Sequence, residues 1–122
     1  MKILIADDSA LIRTHLSELI SASRADVDLH TSTDLQSTIK SLENHTFQVV
    51  VLDLQFPDGS GFSVLEFLKS RRIKPFVMVL TNLINGSIRR RSLALGADLF
   101  FDKTEEYEQV VEEIVRQHNI LH

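Results

Sequence analysis

Five residues with chemistry to offer each follow an apolar run. Asp7 and Asp8 come after "ILIA", Asp53 after "VVVL", Thr81 after "VMVL", and Lys103 closes "LFFDK". Singly, none demands a function. An Asp pair behind a strand suits a helix-entry loop, and Asp53, just ahead of "FPDGSG", suits a turn. Thr81 reads as a strand end and Lys103 as a solvated charge. Gathered at one point they mean more. Three crowded carboxylates raise one another's pKa and destabilise the fold unless a cation joins them. Oxygen donors in a chain with no cysteine favour Mg²⁺ over zinc or copper. With a hydroxyl and an ammonium beside them, they make a cradle for a phosphoryl group.

The elements between these residues decide whether they meet. Lys2 to Ala6 has strand length, and Leu11, Ile12, Leu16, Leu19 and Ile20 recur at helical spacing behind Ser9, a good N-cap. Val27, Leu29 and Thr31 alternate like a half-buried strand. Thr33 with Gln36 resembles a capping box for a second helix faced by Leu35, Ile39 and Leu42. Phe47 to Leu52 and Phe76 to Leu80 are unbroken apolar runs, as in strands covered on both faces. Val64, Leu65, Phe67 and Leu68 mark a third helix. Ile88, Leu93 and Leu95 mark a fourth, which Gly96 ends as C′ residue. Leu99 to Phe101 is a fifth strand. Tyr107, Val110, Val111, Ile114 and Val115 face a last helix, with Glu105 and Glu106 suited to its N-terminal dipole.

Strand and helix thus alternate five times, which predicts an α/β fold: a doubly wound (βα)5 sandwich with helices on both faces of a parallel sheet. Right-handed crossovers leave few windings, and the order 2-1-3-4-5 is expected. Winding then reverses between the first and third strands, where ligands bind outside the carboxyl ends. Asp7, Asp8 and Asp53 fall at that switch point, on strands roughly 5 Å apart, with Thr81 and Lys103 on the same rim.

With 122 residues, residues 1–122 are expected to form a single domain. A net charge of −4 argues against direct nucleic-acid or anionic-membrane binding. "MKILIA" meets Asp7 too soon to be a signal peptide or membrane span, so a cytoplasmic protein is expected.

In "ILIADDS", "VVVLDLQFPDGSG", "VMVLTN" and "GADLFFDK" the chain resembles the receiver domains of two-component response regulators, over essentially its whole length. Receivers are flavodoxin-like, and this strand order is known for them. The resemblance implies a phosphoacceptor switch rather than an enzyme, with self-catalysed transfer and slow autodephosphorylation at most. Asp53 would accept the phosphoryl group from a histidine kinase or histidine phosphotransfer protein. Asp8 would bind Mg²⁺ directly, Asp7 largely through water, Asp53 itself would join them, and Gln55 would add its main-chain carbonyl. Lys103 would neutralise phosphoryl charge and Thr81 would hydrogen-bond the new group. Phe100 would move with Thr81, shifting the face of helix 4, strand 5 and helix 5 toward an unknown downstream protein. A monomer or a phosphorylation-dependent dimer is implied. Ile12 and Arg13 would touch the phosphodonor, and Phe101 is expected in the core.

Two positions depart from the family. Thr104 replaces the usual Pro after the lysine, and it is expected to follow a trans peptide and N-cap the last helix. Asn82 replaces a small residue and is expected to narrow the entrance to Asp53; with Gln55 and Leu83 it would tune phosphoryl lifetime. For Arg89 to Arg91 a solvated helix face is preferred over a docking patch. His118 and His122 have i, i+4 spacing, but a zinc site at a terminus is disfavoured. One rival reading is a receiver-like docking module that is never phosphorylated. Another is a haloacid-dehalogenase-like phosphatase, which needs an Asp where Gln55 stands.

Overall fold

The computed structural model describes residues 1–121, so His122 and its pairing with His118 lie outside the described residues. Strands β1 (Lys2–Ala6), β2 (Asp28–Ser32) and β3 (Val49–Leu52) alternate with helices α1 (Ala10–Ala22) and α2 (Leu35–Asn44). A two-residue-a-side hairpin, β4 (Gln55–Phe56) and β5 (Gly59–Ser60), precedes α3 (Phe62–Lys69). Then come β6 (Phe76–Thr81), α4 (Gly86–Ala94), β7 (Leu99–Asp102) and α5 (Tyr107–Leu121).

Five strands form one sheet in the order β2-β1-β3-β6-β7, every neighbouring pair parallel. With the hairpin outside the sheet, this is the expected 2-1-3-4-5 order of the flavodoxin-like fold. The sheet divides the core by strand periodicity. Leu4, Ala6, Val50, Leu52, Val77 and Val79 face α2, α3 and α4. Ile3, Ile5, Val49, Val51, Met78 and Leu80 face α1 and α5. Central strands buried on both faces explain why their sequences show no alternation.

Ser9 caps α1 by accepting the Ile12 N–H, as expected. Gly96 takes φ +108° after α4, the left-handed C′ conformation that glycine adopts without penalty. Three expectations need correction. The box on α2 is Asp34 with Ser37, not Thr33 with Gln36, because Asp34 is the residue whose carboxylate reaches the Ser37 N–H. The third strand pairs only from Val49; Phe47 is a buried core residue ahead of it. Thr104 lies in a turn, and α5 begins at Tyr107. Its peptide is nevertheless trans, since no peptide bond among the described residues is cis.

Candidate functional site

The sheet's hydrogen-bond ladder runs one residue past three strands and fixes the site's backbone. The Asp7 N–H donates to the Ser32 carbonyl (3.0 Å), Asp53 N–H to Ala6 (2.9 Å), and Lys103 N–H to Thr81 (2.9 Å). The following loop is held against the same edge by Gly61, whose N–H donates to the Leu54 carbonyl at 2.9 Å. A Cβ on Gly61 would strike the Asp53 carbonyl oxygen and come within 2.8 Å of the Leu54 Cα. Glycine is required there for close approach.

Asp7, Asp8 and Asp53 each offer a carboxylate oxygen, and these lie within 4.8 Å of one another. Asp7 and Asp53 are buried, whereas Asp8 is exposed. The Lys103 Nζ donates to Asp7 Oδ1 (2.9 Å) and to Asp53 Oδ2 (2.8 Å). Backbone donors finish the pair: Ser9 N–H reaches Asp7 Oδ1 at 2.8 Å, and Leu54 N–H reaches Asp53 Oδ1 at 2.7 Å. Burial opposes the charged form of Lys103, but its bonds to Asp53 and Asp7 outweigh that and raise its pKa. Burial dominates at Asp7 and raises its pKa, with Lys103 and the Ser9 N–H pulling back and the Asp53 charge adding to the rise.

One ammonium cannot balance three ionised carboxylates, and the formal excess is that of a dianion. An exposed hard oxygen on Asp8 beside two buried ones suits a divalent cation that keeps some of its water, as Mg²⁺ does. The donor set therefore fits Mg²⁺.

An open cleft of about 750 Å³ leads to this cluster, lined among others by Asp8, Asp53, Lys103, Gln55, Asn82 and Thr104. Across its lip the Thr104 hydroxyl donates to Asn82 Oδ1 at 3.2 Å. Ile12 also lines the cleft while packing on the α1–α5 core. Thr81 is fully buried and does not line it; its Oγ1 accepts the Leu83 N–H at 3.2 Å. Arg13 turns inward and donates to the Asp7 carbonyl at 2.8 Å, bracing that backbone. Nothing in its sequence setting signals that brace. Tyr107, on the apolar face of α5, packs on the α1–α5 core and, stacked with His15 at 6.1 Å between centroids, also joins the cleft wall.

Away from the cleft, Phe100 is buried under the Arg89 guanidinium, 5.8 Å from the ring centroid. Phe101 packs in the α1–α5 core, as expected. Arg91 lies 4.1 Å over the Phe62 ring. The arginine face is thus wet but not merely solvated: two of its guanidinium planes rest on aromatic rings.

Comparison with known proteins agrees with this architecture. The response regulator receiver domain model matches residues 3–115. Protein-glutamate methylesterase/protein-glutamine glutaminase 1 of Burkholderia pseudomallei is 37% identical over 105 residues, 84% of this chain and 29% of that protein. The chain spans 28% to 36% of the length of such curated relatives. The BeF3-activated receiver domain of DrrB, from Thermotoga maritima, superposes with TM-score 0.82 at 26% identity over 95% of each chain. A Francisella response regulator receiver domain superposes with TM-score 0.87 at 20% identity, covering 99% of this chain and 98% of its own. No helix among the described residues is long and apolar enough to cross a membrane.

Proposed function

The chain belongs to the response regulator receiver domain family, and from that premise we propose that it is a Mg²⁺-dependent phosphoacceptor switch formed by a single domain. The observation that carries the reading is the Lys103 ammonium bonded at once to Asp7 and Asp53, with Asp8 beside them.

Asp53 is the nucleophile. Its carboxylate oxygen forms a bond to phosphorus as the phosphorus–nitrogen bond of a phosphohistidine breaks, and the electron pair leaves with the imidazole nitrogen. What the transfer asks of the site is orientation and charge neutralisation. Backbone N–H groups on Oδ1 aim the carboxylate, and Lys103 moves from Asp53 Oδ2 to the incoming phosphoryl oxygens. Asp7, Asp8, Asp53 and the Gln55 main-chain carbonyl would hold Mg²⁺, which supplies further positive charge at the phosphoryl oxygens. Thr81, whose hydroxyl proton is not used by Leu83, donates to the phosphoryl group once formed. That draws β6 inward and Phe100 with it, changing the face of α4, β7 and α5 for a downstream partner. Asn82, bridged to Thr104, with Leu83 and Gln55, governs water access and phosphoryl lifetime. Ile12 meets the phosphodonor at the cleft wall, while Arg13 serves it indirectly through Asp7.

The test is intact mass after incubation with Mg²⁺ and phosphoramidate. One added phosphoryl group is expected, absent with EDTA and absent in Asp53→Asn. No gain in the parent would favour the docking-module reading.

A further inference from the structure

The stretch "KSRRIKP", residues 69–75, has no part in the site above. It joins α3 to β6 and carries Lys69, Arg71, Arg72 and Lys74, four of the thirteen Lys and Arg in a chain of net charge −4. It sits where β1, β3 and β6 begin, whereas the carboxylates lie where β1 and β3 end. Strands of four to six residues put roughly 15–20 Å between the two edges.

Helix-end chemistry explains only part of this charge. The Ser70 and Arg71 N–H groups close onto the Phe67 and Leu68 carbonyls, and cations are favoured at that pole. Yet among the described residues no carboxylate lies within ion-pair distance of any of the four basic side chains. Arg71 rests on the Phe67 ring, 5.2 Å from its centroid, rather than on helix carbonyls. Ile73 stands 72% exposed in their midst. Beside the loop opens a cleft of about 370 Å³. Arg71, Arg72 and His45 line it together with the core residues Leu42, Phe47 and Leu68. Lys2 Nζ lies 3.4 Å from His45 Nδ1, adding another cation to the same edge.

We propose that this cleft docks an acidic peptide segment of a protein partner, one apolar side chain entering over Leu42, Phe47 and Leu68 while flanking carboxylates meet Arg71 and Arg72. Guanidinium groups donate paired hydrogen bonds to a carboxylate, and the buried Leu42, Phe47 and Leu68 in the cleft lining supply an apolar contact. A concavity with apolar residues in its lining fits a side chain better than a lipid surface, and net negative charge disfavours nucleic acid. Exposed ion pairs are individually weak and screened, so affinity should be modest and salt-sensitive. Lying at the opposite edge from Asp53, the segment binds whether or not that residue is modified.

The test is an NMR titration of the labelled full chain with the peptide Ac-EELEED-NH2, beside its charge-reversed counterpart Ac-KKLKKK-NH2. Saturable shifts are expected at residues 42–47 and 68–74. Affinity should weaken about tenfold from low to near-molar salt, and about tenfold in Arg71→Glu/Arg72→Glu. It should be unchanged in Asp53→Asn. Equal binding by a folded double variant, equal binding of the basic peptide, shifts centred on the Asp53 cleft, or no shifts at millimolar peptide would each overturn the proposal. So would binding only to phosphatidylglycerol vesicles, dependent on Ile73.

Discussion

Asp7 and Lys103 are placed at opposite advantage by the same burial. Lys103 gains two carboxylates and its charged form is favoured; Asp7 gains one lysine against stronger desolvation, and its charged form is disfavoured. A folded-state pKa raised above 3.8 means the native protein holds the Asp7 proton more firmly than the unfolded chain does. Its contribution to stability is therefore full below the unfolded value and lost as pH rises through the folded one. Asp7→Asn keeps the shape and removes the charge. It is expected to raise the urea midpoint at neutral pH, with the advantage shrinking as pH falls through the raised Asp7 pKa. Urea titrations across that range check it, and a lower midpoint at neutral pH would show that the Lys103 bond outweighs burial. Site residues of this kind are often less stable than their neutral isosteres.

At the scale of elements, α2 has the most heavily capped start. Asp34 takes the Ser37 N–H, and Asp58, from the β4–β5 turn, takes Leu35 N–H at 2.7 Å and Gln36 N–H at 3.0 Å. These bonds, Leu35's first, lower the Asp58 pKa. A lowered pKa contributes stability above the unfolded value of 3.8, lost as pH falls through the folded one. Asp58→Ala is expected to speed amide exchange at Leu35 and Gln36 near neutral pH, the difference from the parent closing in acid. Unchanged exchange would mean that Asp34 alone secures the turn. The helix was legible from Leu35, Ile39 and Leu42, but this cap was not, because its second carboxylate comes from 22 to 23 residues away. Thr104 misled for a similar reason: its hydroxyl is taken by Asn82, and Glu106 accepts the Asp102 N–H where the chain enters α5. Strands buried on two faces, and the acids and lysine at their ends, were legible because burial and charge are written in residue type. Side-chain directions were not, as Arg13 shows: nothing local distinguishes a brace on Asp7 from a docking arginine.

For the whole molecule, the carboxylate–lysine cluster joins three chain segments on a sheet with one core on each face. A cation that binds only this assembled state must stabilise it. Mg²⁺ is expected to raise the thermal midpoint with concentration, adding about 2.7 kcal/mol at a hundredfold excess over Kd. EDTA or Asp8→Ala should remove the effect; a Mg²⁺-independent midpoint in the parent would count against the metal site. The two bonds of Lys103 reach across 96 and 50 residues of chain. Closing loops that long comes at an entropic disadvantage that local helices and neighbouring strands escape. During synthesis, Asp53 emerges well before the Lys103 ammonium that completes its surroundings, and β7 must dock before the two can touch. The bonds of Lys103 to Asp7 and Asp53 thus form only once β7 is seated, so a half-folded copy lacks the assembled cluster however complete its first three strands are.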